Sequence, residues 1–233
     1  MVAPVISAAV FSRFARRPQK EACVMDGRIV ICLGRQFGSG GREIGQGLAE
    51  KLGIRFFDKE IMTRAAQESG LLPELFEKAD EKPVNSLLFS LSTGLHGHAV
   101  TFNSYNDYLT NDRLFAFQSD TIRRVADEGS CVIIGRCADY ILRGRRDVLS
   151  VYVHSPIELR IQRICRLRNI EEDAARALIK KTDRSRANYY NFYSDNDWGA
   201  AETYDLSIDS GRLGVPRCIE LLAGVAEHLA VRD

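Results

Sequence analysis

The sequence predicts an α/β fold, a three-layer αβα sandwich around one parallel sheet. Short apolar runs rich in β-branched residues alternate along the chain with segments of helical periodicity, which is typical of successive strand and helix units. The first apolar run, residues 29–33, leads into a glycine-rich turn, and apolar residues then recur at helical spacing. The chain has 233 residues, which is long enough to bury the core of one such domain.

Composition narrows the class of protein further. Hydrophobic residues make up 45% of the chain, as in an ordinary folded domain, and no apolar run is long enough to cross a bilayer, so we expect no membrane partner. The net charge of +1 gives no general attraction to nucleic acid. The six cysteines include no C-x-x-C pair, which indicates free thiols in a reducing, cytoplasmic compartment.

Residues 1–24 precede the predicted domain. They combine a short apolar stretch with Arg13, Arg16 and Arg17, and no acid occurs before Glu21. This composition fits either a targeting peptide or an extension that the folded domain does not use. We favour the second interpretation, because the following residues lead directly into the first strand. We therefore expect a disordered extension followed by one domain over residues 25–233.

The order of elements follows from periodicity and from local start and stop signals. Gly53 ends the first helix, Gly129 ends a long amphipathic helix, and Pro156 begins another. We predict strands at residues 29–33, 54–57, 131–137, 149–154 and 205–209, and helices at 43–52, 59–69, 112–129, from 156 onward, and 215–229.

Two segments interrupt this alternation. Residues 70–111 are broken by prolines and glycines and show no clear periodicity, apart from a partly helical stretch at 71–78. Because a structureless segment of this length does not fit a compact core, we predict a mobile insert that covers a substrate. Residues 170–198 are charged and rich in tyrosine, and we predict that they form a lid over a nucleotide.

The turn after the first strand has the composition of a phosphate-binding loop. Its glycines carry no Cβ that would hold a phosphate away from the backbone, and the following helix offers unpaired N–H groups and the positive end of its dipole. A strand-to-helix connection without a ligand needs fewer glycines. We predict that the nucleotide is held by Gly34, Arg35, Gly38, Ser39, Gly40, Gly41, Arg42 and Glu43.

This loop departs from the standard P-loop pattern G-x-x-x-x-G-K-[ST], because it contains no lysine. Counted back from helix residues 48–50, Gly41 takes the lysine position. Arg42 or Arg35 could supply the missing positive charge. The carboxylate of Glu43 could reach a metal ion directly or through water, so we predict ATP and Mg²⁺ as cofactors, with Glu43 as the metal ligand.

Several motifs beyond the loop lie in a specific order and together resemble the cytidylate kinase-like family, within the nucleoside monophosphate kinase group of P-loop kinases. The resemblance covers about residues 28–230. Its markers are GRQFGSGGREIG at 34–45, FDKEIMTR at 57–64, IIGR at 133–136, DRSR at 183–186 and YDLSID at 204–209.

The resemblance implies ATP-dependent phosphoryl transfer to a nucleoside monophosphate similar to CMP, or to a related small metabolite. Asp58 and Arg64 match an Asp and Arg of cytidylate kinases, which implies that they hold the acceptor and its phosphate. Arg136 matches the arginine of a Gly-Arg-Asp triplet, but Cys137 replaces the acid. Asp205 lies near the sequence position of an acid that helps cytidylate kinases to recognise the base, which implies the same role here. Because of Cys137 and the lysine-free loop, cytidine specificity does not follow.

Phosphoryl transfer mainly needs positive charge on the developing phosphate oxygens, together with exclusion of water. Arg184 and Arg186 lie on the predicted lid, and with Arg42 we predict them to be catalytic. Arg160 and Arg163 could reach the same cleft from the preceding helix. The alternative for each is an exposed, salt-bridging side chain. We interpret three further arginines as ordinary surface side chains, namely Arg143, Arg145 and Arg146.

Two other functions fit the same fold. One is a kinase for an unphosphorylated small molecule, and the other is a nucleotide-binding regulatory module that lacks transferase activity. Nucleic-acid binding is disfavoured, because basic residues are interleaved with acids and the tyrosines at 189, 190 and 193 lie on a predicted helix. The sequence leaves a homodimer open.

Overall fold

The computed structural model describes residues 27–58, Ile61 and residues 103–230, with side chains from Asp112 onward in the last range. Predictions for the N-terminal extension, for Arg64 and its helix at 59–69, and for most of the insert at 70–111 fall outside the described residues.

Strands and helices alternate along the described chain. The strands are β1 (Val30–Arg35), β2 (Arg55–Phe57), β3 (Cys131–Ile134), β4 (Val148–His154) and β5 (Leu206–Asp209). The helices are α1 (Gly41–Leu52), α2 (Asn103–Asp127), α3 (Ala138–Ile141), α4 (Ile157–Arg168), α5 (Glu172–Ser194), α6 (Ser210–Leu213) and α7 (Val215–Leu229), and a 3-10 turn spans Ala201–Thr203.

The five described strands are parallel and lie in one sheet in the order β2-β3-β1-β4-β5. The strand β1 is central, with Val30 beside Cys131 of β3 and beside Val148 of β4. Its apolar side chains are buried, because helices cover both faces of the sheet. The loop after β1 therefore leaves the middle of the carboxyl edge, where open α/β sheets bind their ligands.

Each face of the sheet has its own apolar cluster. On one face, Ile44 and Leu48 of α1 pack with Leu222 of α7. On the other face, Ile122 of α2 packs in a cluster that includes Tyr189 of α5. The predicted three-layer αβα sandwich is thus confirmed. Truncating a fully buried side chain such as Leu48 to alanine would cost about 2–5 kcal/mol of stability.

The predicted lid segment is mostly one long helix, α5. A third cluster packs its first half against α4 through Ile161, Ile164, Ala175 and Ile179. Its second half reaches the main core, where Tyr190 is 5% exposed. The middle of α5, which is the part nearest the glycine loop, therefore lies between one half that packs on α4 and one half that packs in the main core.

Two predicted boundaries are wrong by more than two residues. The strand β3 ends at Ile134 and not at residue 137, because residues 135–137 form a turn with positive φ angles. The helix α2 begins at Asn103 and not at residue 112, so the end of the predicted insert is helical. Residues 103–112 are mostly polar, which hides helical periodicity, and extending an existing helix needs far less local preference than starting one. No helix in the described part of the chain is both long and apolar enough to span a membrane.

Candidate active site

The glycine loop connects the end of β1 to the first turn of α1. Gly38 and Gly40 have φ angles of 82° and 81°, which residues with a Cβ rarely adopt. Gly40 is the N-cap of α1, and the first N–H groups of a helix have no intrahelical carbonyl partner. The backbone therefore presents donors at the carboxyl edge of the sheet, as a phosphate-binding loop requires.

The loop also lies directly against α4. A Cβ on Gly38 would lie 3.1 Å from the carbonyl oxygen of Arg160, and a Cβ on Gly40 would lie 2.9 Å from Nη1 of Arg163. These glycines consequently permit close packing of loop and helix, in addition to their role in the turn. The same packing brings Arg160 and Arg163 of α4 to the loop, a placement that the sequence left open.

The hydroxyl of Ser39 stabilises the turn itself. Ser39 is buried, and its Oγ donates to the carbonyl oxygen of Gln36 at 2.8 Å and accepts from the Gly41 N–H at 3.4 Å. Its carbonyl oxygen accepts from Oγ of Ser210, at the start of α6, at 2.6 Å. Ser39 therefore holds the shape of the loop.

Arg35 occupies the space where a side chain at position 41 would start. A Cβ on Gly41 would lie only 2.6 Å from Cβ of Arg35 and 3.1 Å from its Cγ. A lysine side chain at position 41 would overlap the side chain of Arg35 in its present conformation. The stem of Arg35, at the end of β1, therefore lies beside the helix position that carries the lysine in the standard pattern.

Arg42 points away from the loop, towards the end of β2. Its Nε donates to Oδ2 of Asp58 at 2.7 Å, and its guanidinium lies 5.9 Å from the centre of the Phe56 ring. Asp58 is buried, whereas the Arg42 side chain is 64% exposed. A predicted nucleotide residue and a predicted acceptor residue are therefore in direct contact.

Glu43 is paired with α4. Its Oε2 accepts from Nη1 of Arg163 at 2.6 Å. This contact places a cation and a carboxylate together at the first turn of α1.

The helix α5 contacts the loop through Asp183 and Arg186. Nη1 of Arg186 donates to the carbonyl oxygen of Arg35 at 3.2 Å, and its guanidinium lies 5.7 Å from the centre of the Phe37 ring. Asp183 accepts from the Phe37 N–H at 2.7 Å. Arg184, the other predicted lid arginine, is exposed, and no contact of its side chain with the loop is observed among the described residues.

A narrow cavity of about 20 Å³, room for about one water molecule, lies beside the loop. It is lined by Gly34, Arg35, Gly135, Arg136, Cys137, Asp139, Arg186, Tyr189, Tyr190, Trp198 and Tyr204. Three arginines from β1, from the turn after β3 and from α5 therefore face one space. Asp139 is the single carboxylate among these described lining residues.

The turn after β3 has an unusual backbone. Arg136 and Cys137 are not glycines, yet their φ angles are 63° and 55°. Arg136 is buried, and its carbonyl oxygen accepts from Nε2 of Gln118 at 3.2 Å. Such strained turns persist where the surrounding structure holds them, and this one directs Arg136 to the cavity.

Asp139 was missed by the sequence analysis. Its Oδ2 accepts a hydrogen bond from the hydroxyl of Tyr190, and burial raises the pKa of its carboxyl above the usual value. Burial likewise raises the pKa of the Tyr190 hydroxyl. The sequence contained one signal for Asp139. The family resemblance implies an acid at position 137, where this chain has Cys137, and Asp139 is an acid two residues later.

Asp205 is not brought to the loop. Its Oδ2 accepts from the Ser150 N–H at 2.8 Å and from the Ser150 Oγ at 2.7 Å. It lines a separate cavity of about 250 Å³ together with Arg143 and Thr203. Asp139 lines both this cavity and the one beside the loop, and the role of Asp205 in base recognition stays a prediction.

The described residues contain no group of three His, Cys, Asp or Glu side chains that could hold a metal ion by themselves. Mg²⁺ is usually held by one or two carboxylates together with the phosphates of the nucleotide. The carboxylate of Glu43, at the first turn of α1, fits that kind of shared site.

A model of the cytidylate kinase-like family matches residues 30–212, which is most of the chain. The chain belongs to the cytidylate kinase-like family. The matched residues include the glycine loop, the turn after β3 and the arginines of α4 and α5. This membership makes the chain a kinase and leaves its acceptor open.

Named relatives agree with the family. A cytidylate kinase from Methanopyrus kandleri is 23% identical over 214 residues, covering 88% of this chain and 96% of that protein. A cytidylate kinase from Methanothrix thermoacetophila is 26% identical over 186 residues, covering 79% and 90%.

Solved structures support the fold alone. An uncharacterized protein from Eubacterium ventriosum superposes with a TM-score of 0.65 at 24% identity, covering 86% of this chain and 99% of that one. TT1252 from Thermus thermophilus has a TM-score of 0.50 at 16% identity, covering 88% and 100%.

Proposed function

We propose that this kinase transfers the γ-phosphoryl group of ATP to a nucleoside monophosphate similar to CMP, or to a related small phosphorylated metabolite. One observation carries the proposal. Arg35, Arg136 and Arg186 come from separate parts of the fold and line one cavity beside a glycine loop at the carboxyl edge of the sheet. Such convergence of positive charge suits the transfer of a phosphoryl group between two anions.

On the donor side, the glycine loop and the first turn of α1 would hold the phosphates of ATP through backbone N–H groups. We assign the role of the missing lysine to Arg35, because its stem takes the space beside Gly41. Arg186 contacts the carbonyl oxygen of Arg35 and would add charge from α5. Arg184 is exposed and would have to move to contribute.

Mg²⁺, bound between the nucleotide phosphates and the protein, would neutralise charge on the transferring group. Glu43 is the residue of this loop that would hold it. Arg163 already pairs with Glu43 and would keep that carboxylate oriented towards the loop.

On the acceptor side, two groups would bind the substrate. Arg136 lines the cavity and would contact the acceptor phosphate. Asp58, held by Arg42, lies at the end of β2 and would accept hydrogen bonds from the acceptor. Arg64, which lies outside the described residues, remains a prediction for the same phosphate.

The chemistry asks little of any single side chain beyond charge and position. The arginines would stabilise negative charge that develops on the transferred oxygens, and removing one such group typically costs about 10²–10³ in rate. The helix α5 already contacts the loop through Asp183 and Arg186, and it would help to exclude water and limit wasteful hydrolysis of ATP.

The relatives named cytidylate kinase make CMP a reasonable first acceptor to test. The described cysteines are all free thiols, which agrees with the predicted reducing, cytoplasmic compartment. Cys137 is buried at a position where the family resemblance implied an acid. We therefore expect the enzyme to phosphorylate other acceptors about as well as CMP.

The test is a coupled assay of ADP release with Mg²⁺ over nucleoside monophosphates, nucleosides and common phosphorylated metabolites. We expect ADP release to depend on at least one phosphorylated acceptor and to fall strongly in Arg136→Ala. Arg145→Ala is the matched control, because Arg145 is paired at the opposite end of the sheet. Hydrolysis without acceptor gives the background, and ADP release that no acceptor increases would contradict the proposal.

A second candidate is a nucleotide-binding regulatory module without transfer chemistry. The absence of a loop lysine and the small volume of the cavity favour it. Calorimetry that shows tight ATP binding, with no phosphoryl transfer to any acceptor of the panel, would support this candidate instead.

A further inference from the structure

The peptide groups of Phe37 are held from both sides by one ion pair. The Phe37 N–H donates to Oδ1 of Asp183 at 2.7 Å, and its carbonyl oxygen accepts from Nη1 of Arg160 at 3.2 Å. The same Nη1 donates to Oδ2 of Asp183 at 2.5 Å. We call this arrangement of Arg160 and Asp183 around Phe37 the clasp.

The clasp is largely shielded from water. The side chain of Arg160 is 9% exposed and that of Asp183 is 17% exposed. A buried ion pair contributes little net stability, since desolvation offsets the attraction, and the best attested use of such pairs is to specify one conformation. Charge-assisted hydrogen bonds to both sides of one residue are well suited to that use.

The clasp supplies hydrogen bonds to the backbone of Phe37, whereas the Phe37 ring contacts Arg186 and the α4–α5 cluster. The Gln36 N–H donates to the carbonyl oxygen of Val153, and Ser39 is held by Gln36 and Ser210. Phe37 lies between these anchors, next to Gly38, whose left-handed backbone has many alternatives in a glycine. Without the clasp, the ring contacts of Phe37 would remain, but its peptide groups would lose these hydrogen bonds and the backbone would gain freedom at Phe37 and Gly38.

We propose that Arg160 and Asp183 are positioning residues that hold the glycine loop in its phosphate-binding shape and connect that shape to α5. This inference rests on the proposed function of the loop. Arg186 lies one turn after Asp183 on α5 and holds the carbonyl oxygen of Arg35, so both ends of the loop segment from Arg35 to Phe37 contact this helix. A shift of α5 would therefore be transmitted to the loop.

A competing role for Asp183 has the opposite consequence. A carboxylate bound to a loop N–H could act as an internal anion that phosphate must displace. Removing its charge would then strengthen ATP binding, whereas removing a positioning residue weakens it. The sign of the change distinguishes the two roles.

The experiment uses two clasp variants and one matched control in the full chain. Asp183→Asn retains an oxygen for the Phe37 N–H but loses the charge that pairs with Arg160, and Arg160→Lys retains charge but loses the planar donor. Ile179→Val removes one methyl group from the α4–α5 contact, where Ile179 is 1% exposed. The Phe37 ring packs against this same cluster, so the control perturbs the apolar contact and keeps the hydrogen bonds of the clasp. Thermal unfolding verifies that each variant is folded, and Arg160→Lys serves if Asp183→Asn is not.

Two readouts are measured on each protein. The first is hydrogen exchange of the loop amides in peptides spanning residues 34–41, with no ligand present. We expect exchange to be at least about 10-fold faster in both clasp variants and nearly unchanged in Ile179→Val. The second is the affinity for ATP and for inorganic triphosphate, which we expect to be at least about 10-fold weaker in the clasp variants.

The readouts separate failure of the clasp from failure of the proposed function. If the unmodified protein binds neither ATP nor triphosphate, the proposed function fails. The hydrogen exchange of the loop amides then still tests whether the clasp holds the shape of the loop. If the unmodified protein binds ATP while the clasp variants show unchanged exchange and unchanged affinity, the positioning role is overturned. Tighter ATP binding in Asp183→Asn overturns it in favour of the competing role.

Discussion

Arginines at the two ends of the sheet do different things. At the amino end, Arg28 and Arg145 each pair with both Asp127 and Asp147. At the carboxyl end, Arg35, Arg136 and Arg186 face a shared cavity beside a loop whose glycines permit close approach.

The difference shows what turns a cation into part of a site. At the amino end, each arginine is matched by carboxylates, and partly exposed pairs of this kind contribute about 0–1 kcal/mol to stability. At the carboxyl end, the charge of the arginines lies where a helix N-terminus and bare peptide groups also attract an anion. Residue type alone does not distinguish the two ends, whereas position on the sheet does.

The largest effect is expected from removing the arginine that stands in for the lysine. Arg35→Ala should lower kcat/KM for ATP by about 10²–10³, since it removes one charge from the transferring group. Steady-state kinetics with saturating acceptor measure this change. A reduction no larger than that of Arg145→Ala would show that both ends of the sheet carry equivalent arginines.

Restoring a lysine should harm the enzyme as long as Arg35 is present. In Gly41→Lys the new Cβ would overlap the stem of Arg35, so we expect about a 10- to 100-fold loss in kcat/KM from displaced groups. The double variant Arg35→Ala/Gly41→Lys should recover most of the loss caused by Arg35→Ala. Kinetics over the full double-mutant cycle test this coupling. Additive losses would mean that the two positions do not share one space.

Arg42 should act on the acceptor and not on ATP. Because Arg42 holds Asp58, Arg42→Ala should raise KM for the acceptor about 10-fold and change KM for ATP little. Measuring both KM values in one series of assays decides between these sites. A selective rise in KM for ATP would instead place Arg42 with the phosphate loop.

The smallest effect is expected at the amino end. Hydrogen bonding from Arg145 lowers the pKa of Asp147, so the ionised carboxylate stabilises the fold above its unfolded pKa of about 3.9. Asp147→Asn should therefore lose about 1 kcal/mol of stability at neutral pH. This difference should shrink as pH falls through the lowered pKa. Denaturant unfolding at several pH values measures it, and a difference that persists in acid would exclude this cause.

Much of the architecture could be predicted because it depends on local pattern. The strands, the glycine loop and the helix after it follow from apolar runs and from glycine spacing. The start of α2 was missed because residues 103–112 carry few apolar side chains. A helix can continue through such a stretch once a neighbouring segment has folded.

The contacts that define the site could not be predicted, because they join distant parts of the chain. Phe37 and Asp183 are separated by 146 residues, and nothing in the DRSR motif identifies the peptide that Asp183 holds. Asp205 is a second contact that the sequence did not reveal. Its place in a motif suggested contact with the base, but strand pairing sets it beside Ser150, away from the loop.

The central claim is that the loop after β1, with Arg35 in place of a lysine, binds a polyphosphate. Titration of the unmodified protein with ATP, ADP and AMP in the presence of Mg²⁺ tests it most directly, with Arg35→Ala titrated in parallel. We predict that affinity falls from ATP to ADP to AMP and that Arg35→Ala removes most of this dependence. Equal affinity for all three nucleotides, or a dependence that Arg35→Ala leaves intact, would contradict it.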